Sequence, residues 1–254
     1  MVKAEHFRAL HEGEPFVIPN PWDAGSARVL ERLGFKALAT TSSGFAFTLA
    51  RHDGDVTLDE VVEHTRAVAA AVGVPVSVDL ENGYGNEPED AARAVTAAAR
   101  AGAAGGSIED FDPSGRIYDV GHATERVAAA AEAADSFVLT ARAENHIRGN
   151  PNLDDTIARL QAYERAGADV LYAPGLATVD EIRAVCDAVS KPVNVLARRD
   201  LSFDEITSAG AQRVSVGGAL TWVALGGLVS AAEAIRDRGD FSVLSAGVDA
   251  AEYL

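Results

Sequence analysis

The chain has 254 residues, 48% hydrophobic and 24% charged, an ordinary globular composition that can bury a substantial core without staples. Its formal net charge of −16 argues against a nucleic-acid surface, which needs a basic patch, and against binding to anionic lipid. An anionic small molecule would have to be held locally, by an arginine, a metal or backbone amides. The single cysteine, Cys186, excludes an intrachain disulfide, and with Ile182, Val185 and Val189 beside it reads as a buried, inert thiol. No unbroken run of about 18 apolar residues is found, so no membrane span is expected. Residues 1–11 are polar and mixed, without the apolar core of a signal peptide, so the expectation is a cytoplasmic protein.

In chain order, eight short β-rich segments recur at 16–18, 37–41, 75–80, 104–109, 137–141, 169–173, 192–196 and 213–216. Most are apolar runs, as expected of strands covered on both faces. Alanine-rich stretches with helical spacing lie between them, at 24–33, 58–72, 88–101, 123–134, 153–166, 179–189 and 203–209, and 220–238 follows the last strand. Gly34, Gly73, Gly102, Gly167 and Gly210 each stand just past a helix, where a left-handed cap is wanted. Thr57, Thr178 and Ser202 stand at N-cap positions, and Glu60 and Glu181 complete capping-box spacing with the two threonines. No interruption looks like a linker, so 1–254 reads as one domain with a helical C-terminal region from about 220. Strand and helix alternating eight times predict an α/β fold, a (β/α)8 TIM-type barrel. A doubly wound open sheet is the alternative, but the turn after the first strand, 19–23, lacks Gly-x-Gly-x-x-Gly.

Such barrels carry their sites at the C-terminal ends of the strands. Those ends are Asn20, Trp22 and Asp23; Thr41-Ser42-Ser43-Gly44 with 51–55; Asp79, Glu81 and Asn82; Glu109-Asp110; Arg142 with Glu144 and Asn145; Tyr172; Arg198-Arg199; and Gly217-Gly218. Asp79 and Glu81 are two residues apart and on an extended strand would share a face. Hard oxygen ligands without a His/Cys cluster favour Mg²⁺, with Mn²⁺ as the alternative. Asp79 is the first choice for direct ligand, with Glu81, Glu109 and Asp53 acting through water. Ser42, Ser43 and Gly44 offer hydroxyls and amides to a carboxylate or phosphonate oxygen. Arg142 offers a planar fork to a carboxylate or oxyanion. Asn82 and Tyr118 are further candidate substrate contacts.

Asp79-Leu-Glu-Asn-Gly-Tyr-Gly-Asn86, with Thr41-Ser-Ser-Gly44 before it and Gly106-Ser-Ile-Glu-Asp110 and Thr140-Ala-Arg-Ala-Glu144 after it, resembles the isocitrate lyase / phosphoenolpyruvate mutase superfamily over roughly 16–238. The resemblance implies a (β/α)8 barrel that binds Mg²⁺ and a 2-oxo or 2-hydroxy carboxylate or phosphonopyruvate. It also implies a homotetramer, built as a dimer of dimers, with the last helix exchanged between barrels. By position, Asp79 matches the metal-binding aspartate, Glu81 and Glu109 the further acidic residues, and Arg142 the substrate arginine. Ser43 and Gly44 match the carboxylate-gripping loop, and Asp53 the aspartate near the reacting centre, with Asp55 as its rival. The Lys-x-Cys-Gly-His lid of the isocitrate and methylisocitrate lyases is missing. The lid at 111–119 has Arg116 and Tyr118 but no lysine or asparagine, unlike that of the phosphonomutases.

The reaction expected is a Mg²⁺-dependent carbon–carbon lyase acting on a small 2-oxo or 2-hydroxy (di)carboxylate through an enolate-like oxyanion. Asp53, Arg142 and Glu109 are its catalytic candidates, and Tyr118 and His122 stand beside Asp53 and Glu109 as candidates for the acid/base. P–C chemistry on phosphonopyruvate is the alternative, and a non-catalytic metabolite-binding barrel the second.

Overall fold

The computed structural model describes residues 3–253. Its strands are β1 (Phe16–Ile18), β2 (Leu38–Ala39), β3 (Val76–Asp79), β4 (Gly105–Glu109), β5 (Phe111–Asp112), β6 (Arg116–Ile117), β7 (Val138–Arg142), β8 (Val170–Tyr172), β9 (Val193–Leu196) and β10 (Arg213–Ser215). Its helices are α1 (Lys3–Leu10), α2 (Ala24–Arg32), α3 (Ser42–Thr48), α4 (Leu58–Ala71), α5 (Pro88–Arg100), α6 (Val120–Ala133), α7 (Leu153–Arg165), α8 (Val179–Ala188), α9 (Phe203–Ser208) and α10 (Ala219–Arg238).

Eight strands form one parallel sheet in the order β1-β10-β9-β8-β7-β4-β3-β2. The sheet curls until its edges meet, and the Ala39 amide donates to the Pro19 carbonyl across the seam at 3.0 Å. This is the (β/α)8 barrel that the alternating pattern predicts. The remaining pair, β5 and β6, forms an antiparallel hairpin outside it, in the lid.

Strand alternation divides the residues between two layers. Val78, Ile108, Leu139, Ala141, Leu171, Val193, Val195 and Val214 join the main core with the inward faces of the helices. The alternate positions carry Ser77, Ser107, Thr140, Asn194, Arg213 and Ser215. Barrel interiors are usually filled by branched apolar side chains. This one is polar through its middle, and apolar only at the bottom, where Phe7, Phe16, Ile18, Val138 and Val170 cluster. A side chain at Gly105 would meet the Val138 carbonyl at 2.6 Å and the Phe7 ring at 2.7 Å, so only glycine lets α1 seat there.

The caps follow their predicted chemistry. Thr57 with Glu60, Thr178 with Glu181 and Ser202 with Glu205 each close a capping box. Gly34, Gly102, Gly167 and Gly210 have positive φ, but Gly73 does not. There α4 ends on extended Val72, and the Gly73 amide donates to Glu31. Cys186 packs against the main core, and burial pushes its thiol up to about 11.

One expectation needs correction. The 42–44 stretch is not a loop but the first turn of α3, capped by Thr41. Helix α10 is mostly exposed, and by length and composition alone it is long and apolar enough to cross a membrane.

Candidate active site

At the C-terminal mouth of the barrel, Arg142 occupies the centre. Its guanidinium meets Asp79 at 3.1 Å, Glu109 at 3.0 Å and Glu144 at 2.8 Å, and lies 5.3 Å from the centroid of the Tyr172 ring. Strand register explains the meeting: Glu109 of β4 pairs with Arg142 of β7, which pairs with Tyr172 of β8. Three carboxylates outweigh the cost of burying Arg142 and raise its pKa, so the fork is permanently charged.

A second layer holds these groups. The buried Asp110 carboxylate accepts from the Glu144 amide at 2.8 Å, from Arg159 at 3.0 Å and from the Tyr163 hydroxyl. It thereby pins the turn after β7 to α7. Arg148 binds Glu144 at 3.2 Å and Glu109 at 3.4 Å, and stacks 3.8 Å from the Phe111 centroid in the lid. The buried Arg126 donates to the carbonyls of Asn82 and Glu87 and fixes the turn after β3.

Glu81 is not placed as alternation predicts. β3 ends at Asp79, and Glu81 has φ +48, in a turn that continues through Gly83 and Tyr84 at positive φ. Its amide donates to Asp79 at 3.2 Å, and its carboxylate accepts from the Tyr84 hydroxyl at 3.2 Å. Burial, then repulsion from Asp79 and Asp53, pushes Glu81 up to about 7. Burial, offset first by Arg142, pushes Glu109 up to about 8. Burial also raises Asp53, against a hydrogen bond from Ser42.

Two adjoining cavities share Ser42, Asp53 and Arg142. The inner one, about 210 Å³, runs from Ser43 and Gly218 past Asp79 into the barrel. The outer one, about 410 Å³, lies under the lid against Glu81, Asn82, Glu109 and Arg148. Gly44 packs tightly beside them, where a Cβ would meet Thr41 at 2.6 Å and Thr221 at 2.7 Å. Tyr118 lines neither cavity; its hydroxyl donates to Asn86 at 2.7 Å and accepts from Asn82 at 3.1 Å. His122 pairs with the Asn86 carbonyl at 2.7 Å, also outside both linings.

The residues fit a hard divalent cation by donor chemistry. Asp53, Asp79, Glu81, Glu109 and Glu144 face only Arg142 and Arg148, and a cation beside them would reverse the upward shifts. Among the described residues no three His, Cys, Asp or Glu side chains are gathered to hold a metal by themselves. Arg142 stands between Asp79 and Glu109. Mg²⁺ commonly takes one or two carboxylates and fills its sphere with water and substrate oxygens, and Asp79 with outer carboxylates suits that mode.

A family model described as phosphoenolpyruvate phosphomutase matches residues 7–236. The chain belongs to the phosphoenolpyruvate phosphomutase family. Within the wider phosphoenolpyruvate mutase/isocitrate lyase superfamily, a solved protein of Burkholderia cenocepacia J2315 is 49% identical, with a TM-score of 0.95 over 99% of this chain and 94% of its own. The oxaloacetate decarboxylase of Bradyrhizobium sp. strain BTAi1 is 30% identical, over 84% of this chain and 77% of its own. A phosphonopyruvate hydrolase solved with oxalate and Mg²⁺ is 25% identical, with a TM-score of 0.89 over 99% and 93%. Relatives of this phosphomutase-family chain thus include an oxaloacetate decarboxylase and a phosphonopyruvate hydrolase.

Reading strand ends alone passes over Arg148, Ser107, Asn194, Arg213 and Ser215, which line the two cavities. All but Arg148 sit on strands, as polar residues alternating with apolar ones, and that alternation was the available signal.

Proposed function

We propose that the chain is a Mg²⁺-dependent lyase that cleaves a carbon–carbon bond in a small 2-oxo or 2-hydroxy (di)carboxylate. The observation that carries this reading is the guanidinium of Arg142, fixed by three carboxylates where both cavities meet. A donor held this rigidly stabilises charge that develops during reaction without having to reorganise. Ser42, Ser43 and Gly44 bind the substrate carboxylate at the first turn of α3, and Arg142 faces the enolate-like oxygen. Mg²⁺, held by Asp79 directly and by Glu81, Glu109 and Asp53 through water, would supply further positive charge to that oxygen when bound.

Asp53 is the group proposed to move the proton. It lines both cavities and accepts a hydrogen bond from Ser42, so its carboxylate stands where it can take a proton from the substrate. Glu109 is tied to Arg142 and Arg148 and keeps the fork oriented. Asn82 lines the outer cavity, and Tyr118 positions it through its hydroxyl. The lid hairpin, held to the mouth by Phe111 on Arg148, sheds water from the reaction. The active form is proposed to be a homo-oligomer, a tetramer in which α10 is exchanged, because α10 leaves Trp222, Val223, Leu228 and Val229 exposed.

Turnover of a panel of 2-oxo and 2-hydroxy acids, with and without Mg²⁺, tests the reading. Full activity in chelator, or normal activity in Asp79→Ala, would sink it. P–C cleavage of phosphonopyruvate is the second reading, favoured by the similarity to the phosphonopyruvate hydrolase. Phosphorus NMR of phosphonopyruvate consumption decides between them.

A further inference from the structure

Arg213 starts β10 deep in the barrel and is buried, at 4% exposure. Its Nε donates to Asn194 Oδ1 at 2.8 Å, and its Nη2 to Thr140 Oγ1 at 3.1 Å. Its Nη1 lies 3.1 Å from His11 Nε2. His11 Nδ1 lies 2.8 Å from the Phe7 carbonyl, which can only accept, so Nδ1 carries the proton and Nε2 offers a lone pair to Arg213. Every partner is therefore neutral. Among the described residues no carboxylate lies within ion-pair distance of Arg213, whereas Arg142 has three.

A buried guanidinium without a counter-charge is expensive, and burial lowers Arg213 to about 10. It carries five N–H groups, so donors remain beyond those three bonds. Arg213 also lines the inner cavity, together with Asn194, Ser215, Ser77 and Thr40, so the polar interior forms a continuous well from the mouth to the cation. At about 210 Å³ this well is smaller than the roughly 300–1,000 Å³ of drug-sized pockets and suits a molecule of a few heavy atoms.

We propose that the floor of this well is an anion subsite in which Arg213 receives a second carboxylate of a small organic acid, so that the chain selects dicarboxylates over monocarboxylates. The inference rests on the reading of the mouth as the substrate site, with the first carboxylate held there. It gives the strongly acidic mouth a complement: one end of the ligand meets Arg142 and the α3 turn, and the other leaves the carboxylates behind.

Calorimetric titration of the full chain in MgCl₂, using two- to five-carbon diacids and their half-amides, tests this without requiring turnover. It stands or falls separately from the lyase chemistry. At least one diacid is expected to bind ten-fold or more tighter than its half-amide. In Arg213→Met the ratio should fall to within two-fold, and in Arg213→Lys much of it should remain. Ser77→Leu, which fills the well and leaves Arg213 in place, should abolish the preference too, and it serves if Arg213→Met does not fold. The proposal is overturned if no diacid is preferred, if none binds, or if the ratio survives in Arg213→Met or Ser77→Leu. A half-amide affinity that rises with added chloride would assign the floor to a free anion and equally overturn the second-carboxylate reading.

Discussion

Removing Arg142 would do more than subtract one positive charge, because Asp79, Glu109 and Glu144 would be left facing each other in a largely buried space. Arg142→Met is expected to lower kcat/KM at least 100-fold, the scale of losing a preorganised oxyanion donor. It should also cost about 3–5 kcal/mol of stability by uncovering buried charge. Steady-state kinetics and urea unfolding read the two effects; an active, equally stable variant would refute the assignment. His11 makes a separate prediction. Burial, with Arg213 next, lowers its pKa from 6.5 to about 3, so the unfolded chain binds the proton more readily than the native one. Stability should therefore fall as pH drops below about 6.5 and level off only near 3. Between pH 7 and pH 5 the His11 contribution is about 2 kcal/mol, and His11→Gln should flatten that part of the urea-midpoint profile. At this scale the sequence was legible where chemistry sits at strand ends: Asp79, Glu109 and Arg142 converge. It was not legible for Glu81, because a positive φ after β3 cancels the alternation from which its direction was inferred. Arg213 was missed because a lone arginine at the start of an apolar strand carries no local sign of an interior cavity.

Among the elements, α1 had no counterpart in the sequence pattern. Half of its residues are polar, and its burial depends on two side chains, Ala4 and Phe7. Phe7 is fully buried in the bottom cluster and packs edge-on against His11 at 4.8 Å. Phe7→Ala should cost about 3–5 kcal/mol, as for other core aromatic truncations. Urea unfolding measures it, and a loss under about 1 kcal/mol would mean that α1 is dispensable to the barrel floor. The barrel helices were legible because their core faces are periodic and most end on a cap or a glycine, and the strands because short apolar runs recur between them. The short α3 was not, because its Ser-Ser-Gly opening reads as a loop, nor was the β5–β6 hairpin, whose two-residue strands lack an apolar run.

For the whole molecule, α10 with the segment after it leaves Leu228, Phe241, Leu244 and Val248 more than half exposed. An apolar surface of that kind is expected to be covered if the proposed oligomer forms. Light scattering at micromolar concentration should report a mass several times 26.5 kDa, and Leu228→Asp should reduce it. A monodisperse monomer in the unmodified protein would count against the exchanged helix.

The closure between β1 and β2 has a consequence for how the barrel breathes. Elsewhere neighbouring strands are joined by registered pairing, but the shared edge of β1 and β2 is tied by the Ala39 amide on the Pro19 carbonyl. That bond sits beside Asn20, Thr40 and Ser42, all lining the inner cavity. Ligand bound there would bridge the two edges of the sheet, acting as a clasp. The Ala39 amide should then exchange with deuterium sooner than those of β4 and β7 in the free protein, and slow most when a carboxylate ligand binds. Hydrogen-exchange mass spectrometry with and without oxalate would show this; an Ala39 rate unchanged by ligand would mean that the staves hold without it.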